Sequence, residues 1–234
     1  TEMWERFSYY GMRAILVLYL VSESTGFNPG LGWSNGDALA LYGWYTMMVY
    51  VMSVQGGYIA DNILGQKKSV LYGGVLLVLG HSILAVEEMW AFYTGLGLII
   101  AGVGMLKPNI SSMVGGLYAQ GDVRRDKGFI IFYIGINVGA FLSSLIVGYV
   151  GETYGWHYGF GLAGIFMFFG MLQFYFAQNI FGDVGKKPVQ TVVSDSKAEV
   201  KSEDKLNPFT SLDLIIIVII YELIILITKY EFLI

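Results

Sequence analysis

Near the amino end of the chain Glu2, Glu5, Arg6, Tyr9, Tyr10 and Arg13 fall at offsets of 0, 3, 4, 7, 8 and 11. On a helix of about 3.6 residues per turn these positions form one stripe. Two carboxylates, two guanidiniums and two phenols therefore share a face, and Arg6 can pair with Glu2 at one-turn spacing or with the adjacent Glu5. The chemistry this offers is specific. An arginine fork holds a carboxylate in two parallel bonds and stays protonated, whereas a carboxylate in a low-dielectric cavity can exchange a proton near neutral pH. Such a stripe can bind an anion-bearing solute and sense protons at the same time. An ion-pair lock to neighbouring helices, or a polar entry in the headgroup zone, is the plainer alternative, but Arg13 lies too far in for the second.

Further along, Lys107 precedes Pro108 inside an apolar run. Proline removes a backbone donor and frees the carbonyl four residues back, at Gly104, so a kink is expected where the lysine projects. A lysine there can hold a carboxylate or compete with it for Glu2 and Glu5. Asn137 brings an amide with both donor and acceptor capacity, able to bond a peptide group or to join two helices. Asp61, Gly65, Lys67 and Lys68 gather at the end of another apolar run, where a carboxylate near basic residues can tie two helix ends together, or the turn can be an ordinary one whose lysines set topology. His81 and His157 have no partner pattern and read as structural. No metal-ligand spacing, nucleophile elbow or phosphate-binding glycine loop is present, so neither a metal, a cofactor nor an enzymatic activity is expected.

The elements that must position these groups are membrane spans. Of 234 residues 55% are apolar and 14% charged, against about 25% charged in a soluble domain, and mean hydropathy is +0.59. This composition excludes a disordered chain, and the lack of cysteine excludes a disulfide scaffold and thiol chemistry. A net charge of -4 gives no basic surface for nucleic acid. Runs near 4–21, 39–60, 70–86, 89–118, 128–150 and 158–180 are long enough to cross a bilayer, which takes roughly 20 apolar residues, and a seventh run covers 212–234. No cleavable leader is visible, since Glu2 and Glu5 stand where basic residues would be. Ten of the fourteen basic residues, among them Lys67, Lys68, Arg124, Arg125 and Lys127, fall in alternate connections. The positive-inside rule makes those connections cytoplasmic, and the amino terminus with them. Arg6, Arg13 and Lys107 lie inside spans, at about 2.5–3.5 kcal/mol each on insertion scales, and so face a partner or a wet cavity. Glycines concentrated within the spans let helices approach closely.

Glu2-x-x-Glu5-Arg6-Phe7-x-Tyr9-Tyr10-Gly11 resembles the first-helix signature of the proton-dependent oligopeptide transporter family of the major facilitator superfamily. In order, Gly56-Gly57-x-x-Ala60-Asp61-x-x-x-Gly65, Lys107-Pro108-Asn109 and Phe132-Tyr133-x-x-Ile136-Asn137-x-Gly139 resemble the family's loop after helix two and its fourth- and fifth-helix motifs. The resemblance implies proton coupling through Glu2, Glu5, Arg6 and Lys107, a peptide pocket of Arg6, Tyr10, Arg13, Tyr50, Lys107 and Asn137, and cytoplasmic gating by Asp61, Gly65, Lys67 and Lys68. Tyr50 enters on its position eleven residues before Asp61.

The expected fold is an all-α transmembrane bundle of six helices over 1–181, built from two three-helix inverted repeats, with spans one and four lining a central cavity. A cytoplasmic linker over 182–211, marked by Pro188, Pro208 and many charges, leads to an additional hydrophobic helix at 212–234. The implied function is proton-coupled symport of di- and tripeptides across the cell's inner membrane, with protons, short peptides, lipid and a carboxy-terminal half as partners. The family is built from two six-helix halves, so the chain is expected to be a fragment. A transporter of nitrate or another small anion, or a non-transporting membrane domain, is the alternative.

Overall fold

The apolar runs become six long helices in the computed structural model, which describes residues 1–119 and 121–187. They are α1 (Glu2–Val21), α2 (Asn35–Ile59), α3 (Gln66–Leu84), α4 (Met89–Gly116), α5 (Arg124–Tyr154) and α6 (Trp156–Ala177). A π-helical segment, Ala60–Leu64, continues α2, and a 3-10 turn, Gln178–Phe181, follows α6. The described residues contain no strand. One unit of the chain covers Thr1–Val189 and a second Gln190–Ile234. The expected helix at 212–234 and the linker beyond 187 lie outside the described residues.

By length and composition α4, α5 and the stretch Trp156–Phe181 are long and apolar enough to cross a membrane. The sequence predicts that α1, α2 and α3 span as well; they fall short on this measure. The physical reason is legible for two of them: α1 carries Glu5, Arg6 and Arg13, and α3 carries Lys67, Lys68 and His81. Both helices belong to a bundle in which Glu5, Arg6, Arg13 and Lys67 meet protein partners, as described below, and not hydrocarbon.

The packing follows a rule. Helix α1 packs on α5 and α6, α4 packs on α2 and α3, and α3 packs on α6. Exchanging the first three helices for the last three maps the α1–α5 pair onto α4–α2 and α1–α6 onto α4–α3, while α3–α6 maps onto itself. This is the pairing expected of two three-helix repeats. It leaves α1 and α4 as counterparts, each flanked by helices of the other repeat.

Close backbone approach makes the pairing possible. A Cβ at Gly56 would lie 2.1 Å from the Gly104 carbonyl oxygen, and one at Gly139 would lie 2.3 Å from the Met3 oxygen. The Gly104 carbonyl is the one freed by Pro108. The Asn109 amide then donates to the Met105 oxygen at 2.7 Å and the Gly56 oxygen at 3.3 Å, stitching α2 to α4 beside the proline. At the opposite end of the bundle, Asn28 in the long α1–α2 connection donates to the Gly151 oxygen at 2.8 Å and accepts from the Trp156 N–H at 3.1 Å. Ser34 caps α2 by accepting from the Asp37 N–H at 3.2 Å.

Candidate functional site

The polar stripe of α1 is turned inward. Glu2 and Arg6 are each 5% exposed and Glu5 is fully buried. The Arg6 Nε donates to Glu2 Oε1 at 2.7 Å, its Nη2 lies 2.6 Å from the same oxygen, and Nε lies 3.2 Å from Glu5 Oε2. One guanidinium therefore serves two carboxylates. Among the described residues Glu2 Oε2 and both Glu5 oxygens have no hydrogen-bond donor, so these three residues are short of positive charge. Lys107, half-buried on α4, is near enough to act electrostatically on Glu5 and forms no ion pair among the described residues. Counting Lys107, the two acids and two bases sum to zero charge. The Lys107 ammonium lies 5.0 Å from the centre of the Tyr50 ring, a cation–π distance.

About two turns away from Arg6, Arg13 occupies an aromatic cage. Its guanidinium carbon lies 5.0 Å from the Tyr42 ring centre, 5.4 Å from Tyr9 and 5.8 Å from Tyr10. Its Nε donates to the Tyr42 hydroxyl at 2.8 Å, and Nη2 reaches the same oxygen. Tyr10 also stands 6.0 Å from the Arg6 guanidinium carbon, so it touches both cations. Gly139 lets α5 close on α1 beside this region, with Arg6 Cβ 3.3 Å from the position its own Cβ would take.

The other singled-out residues divide. Asn137 is exposed on α5 and its amide donates to the Tyr133 oxygen of its own helix at 2.8 Å; its carbonyl oxygen remains open. Asp61 and Lys68 are exposed, and Asp61 forms no ion pair among the described residues. Gly65 and Lys67 instead meet the segment that follows α6. The Lys67 ammonium donates to the Gly182 oxygen at 2.5 Å, and its backbone N–H donates to the Gly185 oxygen at 2.9 Å. Gly65 has φ +82°, and a Cβ there would lie 2.7 Å from the Lys187 nitrogen. His157 does have a partner, with Nδ1 2.5 Å from Glu87. His81 is fully buried, with neither ring nitrogen bonded among the described residues.

Two residues of the site escaped the sequence reading. Tyr42 lies eight residues before Tyr50, on the same face of α2, and that spacing is the available signal. Asn109 belongs to the Lys107-Pro108-Asn109 motif, but its bond to Gly56 depends on a helix more than fifty residues away.

The POT family model matches residues 67–201, more than half of the chain. A di-/tripeptide transporter of Lactococcus lactis subsp. lactis is 46% identical over 200 residues, 85% of this chain and 40% of that protein. An uncharacterized transporter of Bacillus subtilis, YclF, is 50% identical over 175 residues, 74% of this chain and 35% of its own length. Among solved structures, a peptide transporter POT in complex with sulfate superposes with a TM-score of 0.75 at 48% identity, over 79% of this chain and 38% of that one. A POT family transporter in complex with 5-aminolevulinic acid gives 0.74 at 35% identity, over 98% and 45%. The chain spans about 40% of the length of the curated relatives it matches. Its bundle is of the major facilitator type, and with its ordered motifs on the helices that carry them in the sequence pattern, the chain belongs to the POT family of integral membrane transporters.

Proposed function

We propose that this chain is the amino-terminal part of a secondary active symporter that couples proton movement to the uptake of di- and tripeptides. The observation that carries this reading is the buried cluster of Glu2, Glu5 and Arg6, with half-buried Lys107 near enough to act electrostatically on Glu5; on this reading the two carboxylates compete for the two cations. Protonation of a carboxylate weakens its hold on Arg6 or Lys107, and the freed cation takes the carboxylate of the peptide. The occupied cavity then closes and reopens on the other side. Tyr10, Arg13, Tyr50 and Asn137 complete the peptide pocket of this half, and Asp61, Gly65, Lys67 and Lys68 form the cytoplasmic gate. The similarity to a lactococcal di-/tripeptide transporter supports the substrate class. The protein resides in the cell's inner membrane with its amino terminus cytoplasmic, as the distribution of basic residues implies. A linker begins near Gly182, and a carboxy-terminal half supplies the rest of the pocket.

The test is uptake of a labelled dipeptide into vesicles holding the full-length protein. An inward proton gradient should drive accumulation, and Glu5→Gln should remove that gradient dependence. Uptake that ignores the gradient, or an unchanged Glu5→Gln variant, defeats the symport reading. Competition by nitrate without competition by dipeptides would favour the anion alternative.

Tyr42 provides a milder check. Tyr42→Phe keeps the ring beside Arg13 and removes the acceptor of its hydrogen bond. Losing a bond to a charged group is worth about 1.5–3 kcal/mol when nothing replaces it, and water in the cavity offsets part of that. Dipeptide affinity should fall about five- to tenfold, roughly 1–1.4 kcal/mol, with the melting temperature little changed. Equal binding by both proteins would show that the hydroxyl does not orient Arg13.

A further inference from the structure

Two ladders of side chains descend from the proposed peptide residues to a second cavity. On α4 the positions Lys107, Ser111 and Gly115 fall at steps of four, which keeps them on one face, and Tyr118 follows just past the end of the helix. The Ser111 hydroxyl donates back to the Lys107 oxygen at 3.3 Å. On α5 the positions Asn137, Tyr133, Phe129 and Arg125 run the same way in steps of four. The Asn137 amide bonds the Tyr133 oxygen, and the Arg125 guanidinium carbon stands 6.0 Å from the Phe129 ring centre. At the bottom the ladders meet: Arg125 Nη2 lies 3.5 Å from the position a Gly115 Cβ would take. There a cavity of about 580 Å³ is lined by Ser111, Ser112, Gly115, Gly116, Tyr118, Arg125 and Phe129.

The chemistry of this cavity fits an oxyanion. No carboxylate lines it. The neighbouring Arg124 is spent on Asp122, at 2.8 Å, and those hydrogen bonds hold the Asp122 carboxyl below its ordinary range, so that acid stays ionised and directed at Arg124. Arg125 forms no ion pair among the described residues, and the Tyr118 hydroxyl has no hydrogen-bond partner there. Eight residues of α4 from Lys107 to Gly115, at 1.5 Å each, put the level of Arg125 about 12 Å from that of Lys107, and twelve residues of α5 put Arg125 about 18 Å from Asn137. An extended dipeptide reaches only about 7 Å, less than the backbone separation of the two levels.

We propose that this cavity is a second, cytoplasmic-side subsite that receives the carboxylate of the transported peptide after it leaves Lys107 and Asn137, with Arg125 and Tyr118 as its donors. The proposal rests on the peptide-transport reading. A cation at the mouth of a low-dielectric passage raises the local concentration and passage rate of an anion about tenfold or more, without altering affinity at the deeper site. Arg125 is exposed, so its replacement does not disturb the core.

The experiment is equilibrium exchange of a labelled dipeptide across vesicles holding the full-length protein, in neutral phosphatidylcholine and in vesicles with phosphatidylglycerol. In Arg125→Gln the exchange rate should fall about tenfold at low salt. Arg125→Lys should restore most of it, and 1 M salt should erase the difference by screening. Dipeptide affinity in detergent should be unchanged. Exchange equal to wild type, or a loss indifferent to salt and to the lysine variant, overturns the subsite. A loss seen only with phosphatidylglycerol overturns it too, assigning the cavity to a lipid phosphate. If the wild-type protein itself exchanges no dipeptide, the peptide-transport reading fails and the subsite falls with it.

Discussion

Arg6→Gln should destabilise the bundle by about 3–5 kcal/mol, the cost typical of stripping one partner from a buried ionic cluster. The geometry leaves little room for rescue. Arg6 alone serves both Glu2 and Glu5 through three contacts of 2.6–3.2 Å, and three carboxylate oxygens already lack donors. Without the guanidinium two acids remain side by side at 5% and 0% exposure, with Lys107 as the remaining nearby cation. Arg6→Lys should fall between, because a point charge on a flexible stem cannot reproduce the fork. The decisive comparison is the double variant Glu5→Gln with Arg6→Gln, which removes the fully buried charge together with its partner and should recover part of the loss. Thermal unfolding of the detergent-purified full-length protein measures all three. A single variant that melts like wild type, or a double variant no better than the single, would show that the cluster is not held by this ion pairing.

How far the sequence reveals this site depends on whether a group's partner lies on the same helix. The α1 stripe is legible because charge type and a 3.6-residue spacing settle within thirteen residues which side chains share a face, and burying charge forces that face inward. The proline beside Lys107 is legible for a similar local reason. What the sequence hides is the identity of remote partners. Lys67 reads as a basic loop residue that a carboxylate such as Asp61 would meet, yet its ammonium turns to the Gly182 carbonyl more than a hundred residues on. Backbone carbonyls left at the end of α6 attract a cation as well as an acid does, but carry no letter in the sequence. Tyr42 hides for another reason: in a chain with 17 tyrosines, a phenol is a weak signal until an arginine is found against it. The fold itself rests on glycines whose number is obvious and whose individual roles are not. Gly56 and Gly57 are adjacent and identical in type, and their environments are opposite.

That contrast yields the second large effect. Gly56→Val should cost several kcal/mol, whereas Gly57→Ala should be neutral or slightly stabilising. A Cβ at Gly56 would meet the Gly104 oxygen at 2.1 Å, the Gly104 carbon at 2.5 Å and Met105 Cα at 2.9 Å, while one at Gly57 meets nothing within 4 Å. All three contacts at Gly56 are backbone, so no rotamer change relieves them and α2 must move off α4. Overpacking of this kind costs about 1–3 kcal/mol. The same movement breaks the bond from the buried Asn109 amide to the Gly56 oxygen, adding about 1–3 kcal/mol for a polar group that loses its partner. At Gly57 an added methyl gains helix propensity, up to about 1 kcal/mol. The displacement also has a functional reading, since Tyr50 rides on α2 less than two turns away and sets the 5.0 Å contact with Lys107. Gly56→Val should therefore lower the melting temperature and weaken dipeptide binding together, with Gly57→Ala changing neither. Similar melting temperatures for the two variants would mean that the α2–α4 crossing is not the tight contact on which Lys107 depends.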